Sequence, residues 1–439
     1  MVVAIGHYHH GIPKLEEMEK LKMVAAHCFI EDSGRSPEQI YRAVSAVAGE
    51  ARGLYVGDEV AGMDTHKFTT MMLLDACFLL QYVRVMAADS QHTVDPSLQR
   101  ALICNRVCIE NDIMLLENQI PWSVVDILNG LSGAPAPVDK FISIMGSMFQ
   151  IGQRGSVGIG SFLTLLSTGC NPPHLLALFR MEKVGPVHRS YVELPSTLPF
   201  TIRATDLARM SIRIKPCMTP YFCDMGIWIA KIFSYLFLPP LFLDETRACW
   251  LVNMAALEVC TASNDREDIR KLHTAVCSYL ALLAMLMNRE EDVEELHKKQ
   301  ILHANLTDKE TLDFFKNLVK RLDGGPVYNS IVAEIQQYKE TTSWIKVYGF
   351  IQDNTKIILT MLPIIGFLAG ILRTLLSLNS RQQYNECRFC ELMHPGLTIL
   401  TLQCCFEICA IQLPYYMEFS LFCSSHIKHV LNFKLCSTT

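Results

Sequence analysis

A chain of 439 residues that is half hydrophobic, with 19% charged residues and a formal net charge of −5, can bury a sizeable core. Its small, dispersed charge leaves no basic stripe of the kind that follows a phosphate backbone, which excludes nucleic acid as a partner. Seventeen cysteines occur behind an opening, Met1-Val-Val-Ala-Ile-Gly-His7, that lacks the basic and long apolar regions of a secretory leader; reduced thiols in a cytosolic body are expected, not a disulfide framework.

In chain order, His7-Tyr-His-His-Gly11-Ile-Pro13 is a turn-rich entry to a charged helix over 15–29. A second helix is expected over 37–50 and a third over 68–83. The third is apolar on nearly every face, yet Asp75 and Gln81 lie inside it, and a central Asp costs about 2.5–3.5 kcal/mol on insertion into a bilayer. It therefore reads as a helix buried in protein, with Asp75 finding partners there. Residues 87–97 are polar and loop-like. The helical pattern returns over 98–119 and restarts after Pro121 at 122–128, proline being suited to the first turn of a helix.

Residues 130–160, with Ala134-Pro-Ala-Pro137 and the glycine-rich run 152–160, read as a flexible insertion. Ser211-Ile-Arg-Ile-Lys215 alternates with period two, and the apolar run 227–243 is broken by Pro239-Pro240. These are expected to be short strands of a small antiparallel β element within 208–245. Further on, Asn264 with Glu267, Asn288 with Glu291 and Thr307 with Glu310 have capping-box spacing, and would start helices near 265–287, 289–303 and 308–322. Asp323-Gly-Gly-Pro326 ends the last of these, and 327–350 leads toward the most apolar stretch of the chain.

That stretch is sixteen uncharged, mostly apolar residues between Lys356 and Arg373. Sixteen helical residues rise about 24 Å, short of the ~30 Å hydrocarbon core. The pattern continues through Thr374-Leu-Leu-Ser-Leu378, however, and Arg373 can extend its guanidinium toward the headgroups. A transmembrane helix is expected over 356–378, meeting membrane lipid from Ile357 to Leu378. Pro363, Gly366 and Gly370 are tolerated in such a helix, and the Gly366/Gly370 spacing permits close helix packing. Charge does not orient it: Lys339, Lys346 and Lys356 precede it, and Arg373, Arg381 and Arg388 follow. Residues 381–439 are an atypical tail crowded with Cys387, Cys390, Cys404, Cys405, Cys409, Cys423 and Cys436, resembling read-through of non-coding sequence.

Four places invite a chemical reading. His7, His9 and His10 could offer imidazoles to a metal, but no acid or cysteine stands at ligand spacing, and a turn is favoured. Glu110, Asp112 and Glu117 are the most tempting carboxylates for acid–base work. Glu117-Asn-Gln-Ile-Pro121 lies at a helix junction, though, where such side chains satisfy orphan backbone N–H groups, so capping is favoured. The 152–160 run lacks the Gly-Lys-Ser/Thr ending of a phosphate loop. Cys387-Arg-Phe-Cys390 with Cys423, His426 or His429 imitates a zinc site whose second pair is too irregular. No serine-hydrolase elbow, His-Glu-x-x-His or kinase signature is present. No catalytic, cofactor-binding or metal residue is assigned, and no cofactor or small-molecule substrate is expected.

Seven segments in register carry a family resemblance. They are His7-Tyr-His-His-Gly11, Met71-Met-Leu-Leu-Asp-Ala-Cys-Phe78, Leu115-Leu-Glu-Asn-Gln-Ile-Pro121, Ala204-Thr-Asp-Leu207, Pro239-Pro-Leu-Phe-Leu-Asp-Glu-Thr246, the helix from Asp292 to Asn305, and the apolar C-terminal segment. Over about residues 3–380 the chain resembles the plant family known as domain of unknown function 247. The resemblance implies a predominantly helical plant protein with one C-terminal transmembrane helix, a cytosolic body and no established catalysis; the plasma membrane is the expected location. Some members are implicated in self-incompatibility recognition and others in growth or stress responses. Members usually carry several tens of residues before the His-Tyr-His-His-Gly element and end soon after the membrane helix, and this chain departs at both ends.

The expected protein is thus mainly α: a large helical body over 1–350, a small antiparallel β element and a C-terminal transmembrane helix. It is expected to be a membrane-tethered interaction or signalling component that is not an enzyme and meets an unidentified protein partner. The alternative is an uncharacterised enzyme using the acids from Glu110 to Glu117.

Overall fold

The computed structural model describes residues 1–56, 60, 62–87, 94–149, 172–186, 202–230, 234–261, 274–320, 322, 324–341 and 355–391. The chain divides into two units, Met1–Gln352 and Asp353–Thr439.

The first half of the body is built from α1 (Glu16–Ser33), α2 (Pro37–Gly53), α3 (Thr65–Met86), α4 (Pro96–Cys104), α5 (Arg106–Asp112), α6 (Trp122–Leu131) and α7 (Val138–Ser147). Ser36 opens α2 through a reciprocal capping box with Gln39, and the Asp64 carboxylate opens α3 by accepting from the His66 and Lys67 amides. A helix apolar all round needs cover on every side. α3 obtains it from α1, α2, α6 and α7, which pack around it and bury Met71, Met72, Phe78, Leu80 and Tyr82. Gln81, the second polar residue of α3, reaches Asp32 at 3.3 Å.

α8 (Leu175–Val184) and α9 (Ala204–Arg209) lead into the strands. β1 (Ile212–Pro216), β2 (Gly226–Trp228) and β3 (Ser234–Leu238) form a sheet in the order β1-β3-β2, with β1 parallel and β2 antiparallel to β3. β4 (Leu241–Leu243) pairs in parallel with β5 (Leu302–Ala304). The small β element is therefore mixed, not purely antiparallel. The connection between β1 and β3 is long enough to return the chain to the starting end, which parallel pairing requires. Pro239 and Pro240 then supply no N–H donors and end β3.

The second half comprises α10 (Glu245–Thr261), α11 (Ala275–Leu286), α12 (Glu290–Lys298), α13 (Asp308–Val319) and α14 (Gly325–Thr341). α11 plays the part that α3 plays earlier: α10, α13 and α14 pack on it, and Val276, Leu280, Leu282 and Leu283 are buried. Its Tyr279 hydroxyl donates to the Pro239 carbonyl at 2.7 Å, and the ring stacks on Phe222 at 4.5 Å. α8 joins the halves by packing on both α7 and α10.

Three sequence expectations shift. The helix expected over 98–119 breaks at Asn105 and ends at Asp112, because Asn105, Asn118 and Gln119 side chains bond nearby carbonyls and compete with the helical ladder. Within the supposed flexible insertion 130–160, residues 138–147 form α7, held in place by its buried Phe141, Ile142 and Met145; 150–160 lie outside the described residues. The helix expected over 289–303 stops at Lys298, and Gln300, at φ 60°, turns the chain into β5. Of the capping boxes, Thr307/Glu310 is present, whereas Asp292, not Glu291, accepts from the Asn288 and Arg289 amides. Asn264 and Glu267 lie outside the described residues.

The second unit contains α15 (Thr355–Glu391), 37 residues with Pro363 inside. The segment Leu359–Leu378 is long and apolar enough to cross a membrane, and its described side chains are exposed, Phe367 at 70%. Thr65–Met86 meets the same length and composition test but is buried in the body. The tail beyond residue 391, with Cys423, His426 and His429, lies outside the described residues.

Candidate functional site

A dense polar construction surrounds the N-terminal segment of the body, which has no regular secondary structure and is held by side chains. The Val2 and Val3 amides donate to Asp112 Oδ2 at 2.6 and 2.9 Å, the Ile5 amide to Asn118 Oδ1 at 2.6 Å, and the Gly6 amide to Asp75 Oδ2 at 2.7 Å. Asn118 Nδ2 donates back to the Val3 and Asp112 carbonyls at 3.1 and 2.9 Å. Lys22 Nζ lies 2.6 Å from both Asp75 Oδ1 and Glu19 Oε1 and also donates to the Ala4 carbonyl. Burial opposes the Lys22 ammonium, but Asp75 and Glu19 outweigh it and hold its pKa above the usual lysine value. Val3, Ala4 and Ile5 are buried beneath this network.

Gly6 is the one residue type that fits its position. Its φ is +82°, and an added Cβ would sit 2.5 Å from the Gln119 carbonyl oxygen. That same carbonyl accepts from the Tyr55 hydroxyl at 3.1 Å. The Gln119 side chain donates to the Ile113 and Leu115 carbonyls at 2.7 and 2.8 Å and accepts from the Leu176 amide at 3.1 Å, tying this turn to the start of α8. Three motifs far apart in sequence, around Gly6–His10, Asp75 and Asn118–Gln119, therefore meet at one node.

The acids singled out from sequence are each engaged separately. Glu110 pairs with Arg106 at 2.7 Å, Asp112 accepts the two N-terminal amides, and Glu117 meets His9 Nε2 at 2.9 Å on the surface. His9 thus has an acidic neighbour that linear spacing hid, and the His7 ring packs edge-on to Tyr55 at 4.7 Å. Among the described residues no group of three or more His, Cys, Asp or Glu could hold a metal. The capping role does reach this junction, but it serves the N-terminal segment and not the start of α6, which has no side-chain cap.

A second node joins three further motifs. Thr205 Oγ1 donates to Asp292 Oδ1 at 3.2 Å, and the same carboxylate caps α12. β4, inside the Pro239–Thr246 motif, pairs with β5 at the end of the Asp292–Asn305 motif. A third node escaped sequence reasoning. Glu258 is fully buried; it pairs with Arg180 at 2.6 Å and accepts the Val276 and Cys277 amides at 3.1 and 2.8 Å, clamping α8, α10 and the start of α11. A lone acid in an apolar helix was the available signal, as it was for Asp75.

Lys183 is the remaining chemical oddity. Its ammonium lies 5.2 Å from the Phe149 ring centroid and 5.6 Å from that of Phe222, with the Gly146 carbonyl at 3.5 Å, and burial lowers its pKa to about 8. Burial also pushes the Cys223 thiol up to about 12, which makes it a poor nucleophile.

Residues 1–369 match the family described as plant protein of unknown function, DUF247. The chain belongs to this family. A UPF0481 protein of Arabidopsis thaliana is 23% identical over 346 residues, covering 73% of this chain and 68% of the relative. No solved structure matches it. In this DUF247 protein the resemblance-bearing segments of the body are thus joints of the fold: between them they supply an imidazole, carboxylates, side-chain amides, a hydroxyl and strands that lock one part of the chain to another.

Proposed function

We propose that this DUF247 protein is a single-pass, membrane-tethered interaction or signalling component whose cytosolic body, at the plasma membrane, engages a protein partner and performs no catalysis. The observation that carries the tether is the contrast between two helices of similar composition. α3 hides its apolar side chains inside the body, whereas α15 leaves its described side chains between Ile357 and Leu378 exposed, a surface that water disfavours and lipid accepts. Exposed thiols at Cys104, Cys108 and Cys260 suit a reducing compartment. Glu110, Asp112 and Glu117 each serve a separate partner and do not converge on one point, which favours structural roles over a shared acid–base site.

Proximity labelling in the native tissue tests the interaction role. A labelling enzyme fused ahead of Met1 of the full chain is compared with the same enzyme fused to residues 353–439. The expected outcome is a set of proteins enriched only by the full chain; identical sets from both fusions would argue against a body that selects partners.

A further inference from the structure

The outward face of the mixed sheet carries aromatic and cationic side chains in two cross-strand rows. The register sets Arg213, Tyr235 and Trp228 side by side, and Lys215 beside Phe237. Alternation turns Ile212, Ile214, Leu236 and Leu238 into the core and leaves the other set outward. Trp228 stacks on Tyr235 at 5.8 Å, Tyr235 meets Phe237 at 6.0 Å, and Lys215 Nζ stands 4.2 Å over the Tyr235 ring. Trp228 is 57% exposed and the following Ile229 43%. A one-sided sheet ordinarily turns polar side chains to water. An aromatic cluster there marks a contact surface instead.

Charge indicates what covers it. The outward positions of the three strands carry Arg213 and Lys215 and no acid, within a chain of net charge −5, while Arg209 is taken by Asp206 at 3.5 Å and the acid between β1 and β2 is Asp224. Asp224 accepts from the Thr219 hydroxyl. Trp and Tyr flanked by Lys and Arg are the side chains that settle at a membrane–water interface, and anionic headgroups strengthen the attachment about fivefold for each cation near the surface.

We infer that this sheet face docks on an anionic lipid surface, with Trp228 and Ile229 entering the headgroup layer and Lys215 meeting lipid phosphates. The inference rests on the tethered reading proposed above, because a tether supplies the local concentration that keeps a small contact engaged. An acidic protein surface is the other occupant of matching charge; the bare aromatic row favours lipid.

The test uses the full chain in nanodiscs of phosphatidylcholine alone or with phosphatidylserine added, read by amide hydrogen exchange. Exchange across Ile212–Pro216 and Gly226–Trp228 should slow about fivefold or more when phosphatidylserine is present, with Thr65–Met86 unchanged. Lys215→Glu and, separately, Trp228→Ser should abolish the difference. Equal exchange in both discs overturns the inference and leaves the face to a protein partner. Retention in the discs without detergent is scored first: a retained but composition-blind chain refutes lipid docking alone. A chain that is not retained refutes the tether; it is then mixed with preformed vesicles of the same two compositions, where the same readout decides docking.

Discussion

Lys22 and Asp75 show why an apolar helix can contain an acid without belonging to a bilayer. Both side chains are buried, 2.6 Å apart, and the remaining valences go to Ala4, Gly6 and Glu19. Removing one member of such a pair strands a buried charge. Lys22→Met should therefore cost about 3–5 kcal/mol in urea unfolding, and adding Asp75→Leu should return most of it. A single substitution with no effect on the midpoint would contradict the node. Because the folded Lys22 pKa is raised, its contribution is complete below the unfolded value and fades as pH climbs through the folded one. Lys183 has the opposite sign. With its folded pKa lowered to about 8, the buried ammonium weakens the fold at neutral pH. The penalty eases between pH 8 and the ordinary lysine value, where the unfolded chain holds the extra proton. Lys183→Met should stabilise the body by roughly 3 kcal/mol at pH 7, with the gain shrinking toward pH 10. A gain independent of pH would show that packing, not charge, is responsible.

At the scale of elements, the joints matter more than the helices they join. Asn118 makes three buried bonds, to Ile5, Val3 and Asp112, and truncation leaves those backbone groups unsatisfied. Asn118→Ala should cost about 2–4 kcal/mol and raise amide exchange at Val3 and Ile5 selectively; uniform loss of protection would place the segment's anchorage elsewhere. Some of this architecture was legible in the sequence. The all-round apolarity of α3 with one acid inside announced a buried helix, and Thr307/Glu310 announced the start of α13. Pro121 marked the restart at Trp122. The break after Cys104 was not legible, because the apolar spacing continues past it while Asn and Gln side chains silently replace the backbone ladder. α7 was hidden by its proline- and glycine-rich flanks, since local punctuation says nothing of the groove that buries Phe141. The nodes themselves were invisible for a simpler reason: Asp112 and Val2, or Arg180 and Glu258, are brought together only by the tertiary fold. Lys183 left no mark at all in the local pattern.

For the whole molecule, the question is which solvent receives the Ile357–Leu378 face of α15. The twenty residues Leu359–Leu378, mostly apolar, match the span of a hydrocarbon core, and the body's own apolar helices have already found cover in protein. The decisive measurement is alkaline carbonate extraction of membranes carrying the full chain, run beside a double variant, Ile364→Asp with Leu368→Asp. Each central Asp adds about 2.5–3.5 kcal/mol to the cost of insertion. The wild-type chain should stay in the pellet after carbonate and leave it only with detergent, and the double variant should move to the supernatant with its body still folded. Full-length wild-type protein released by carbonate, or found in the supernatant without detergent, would contradict the membrane tether.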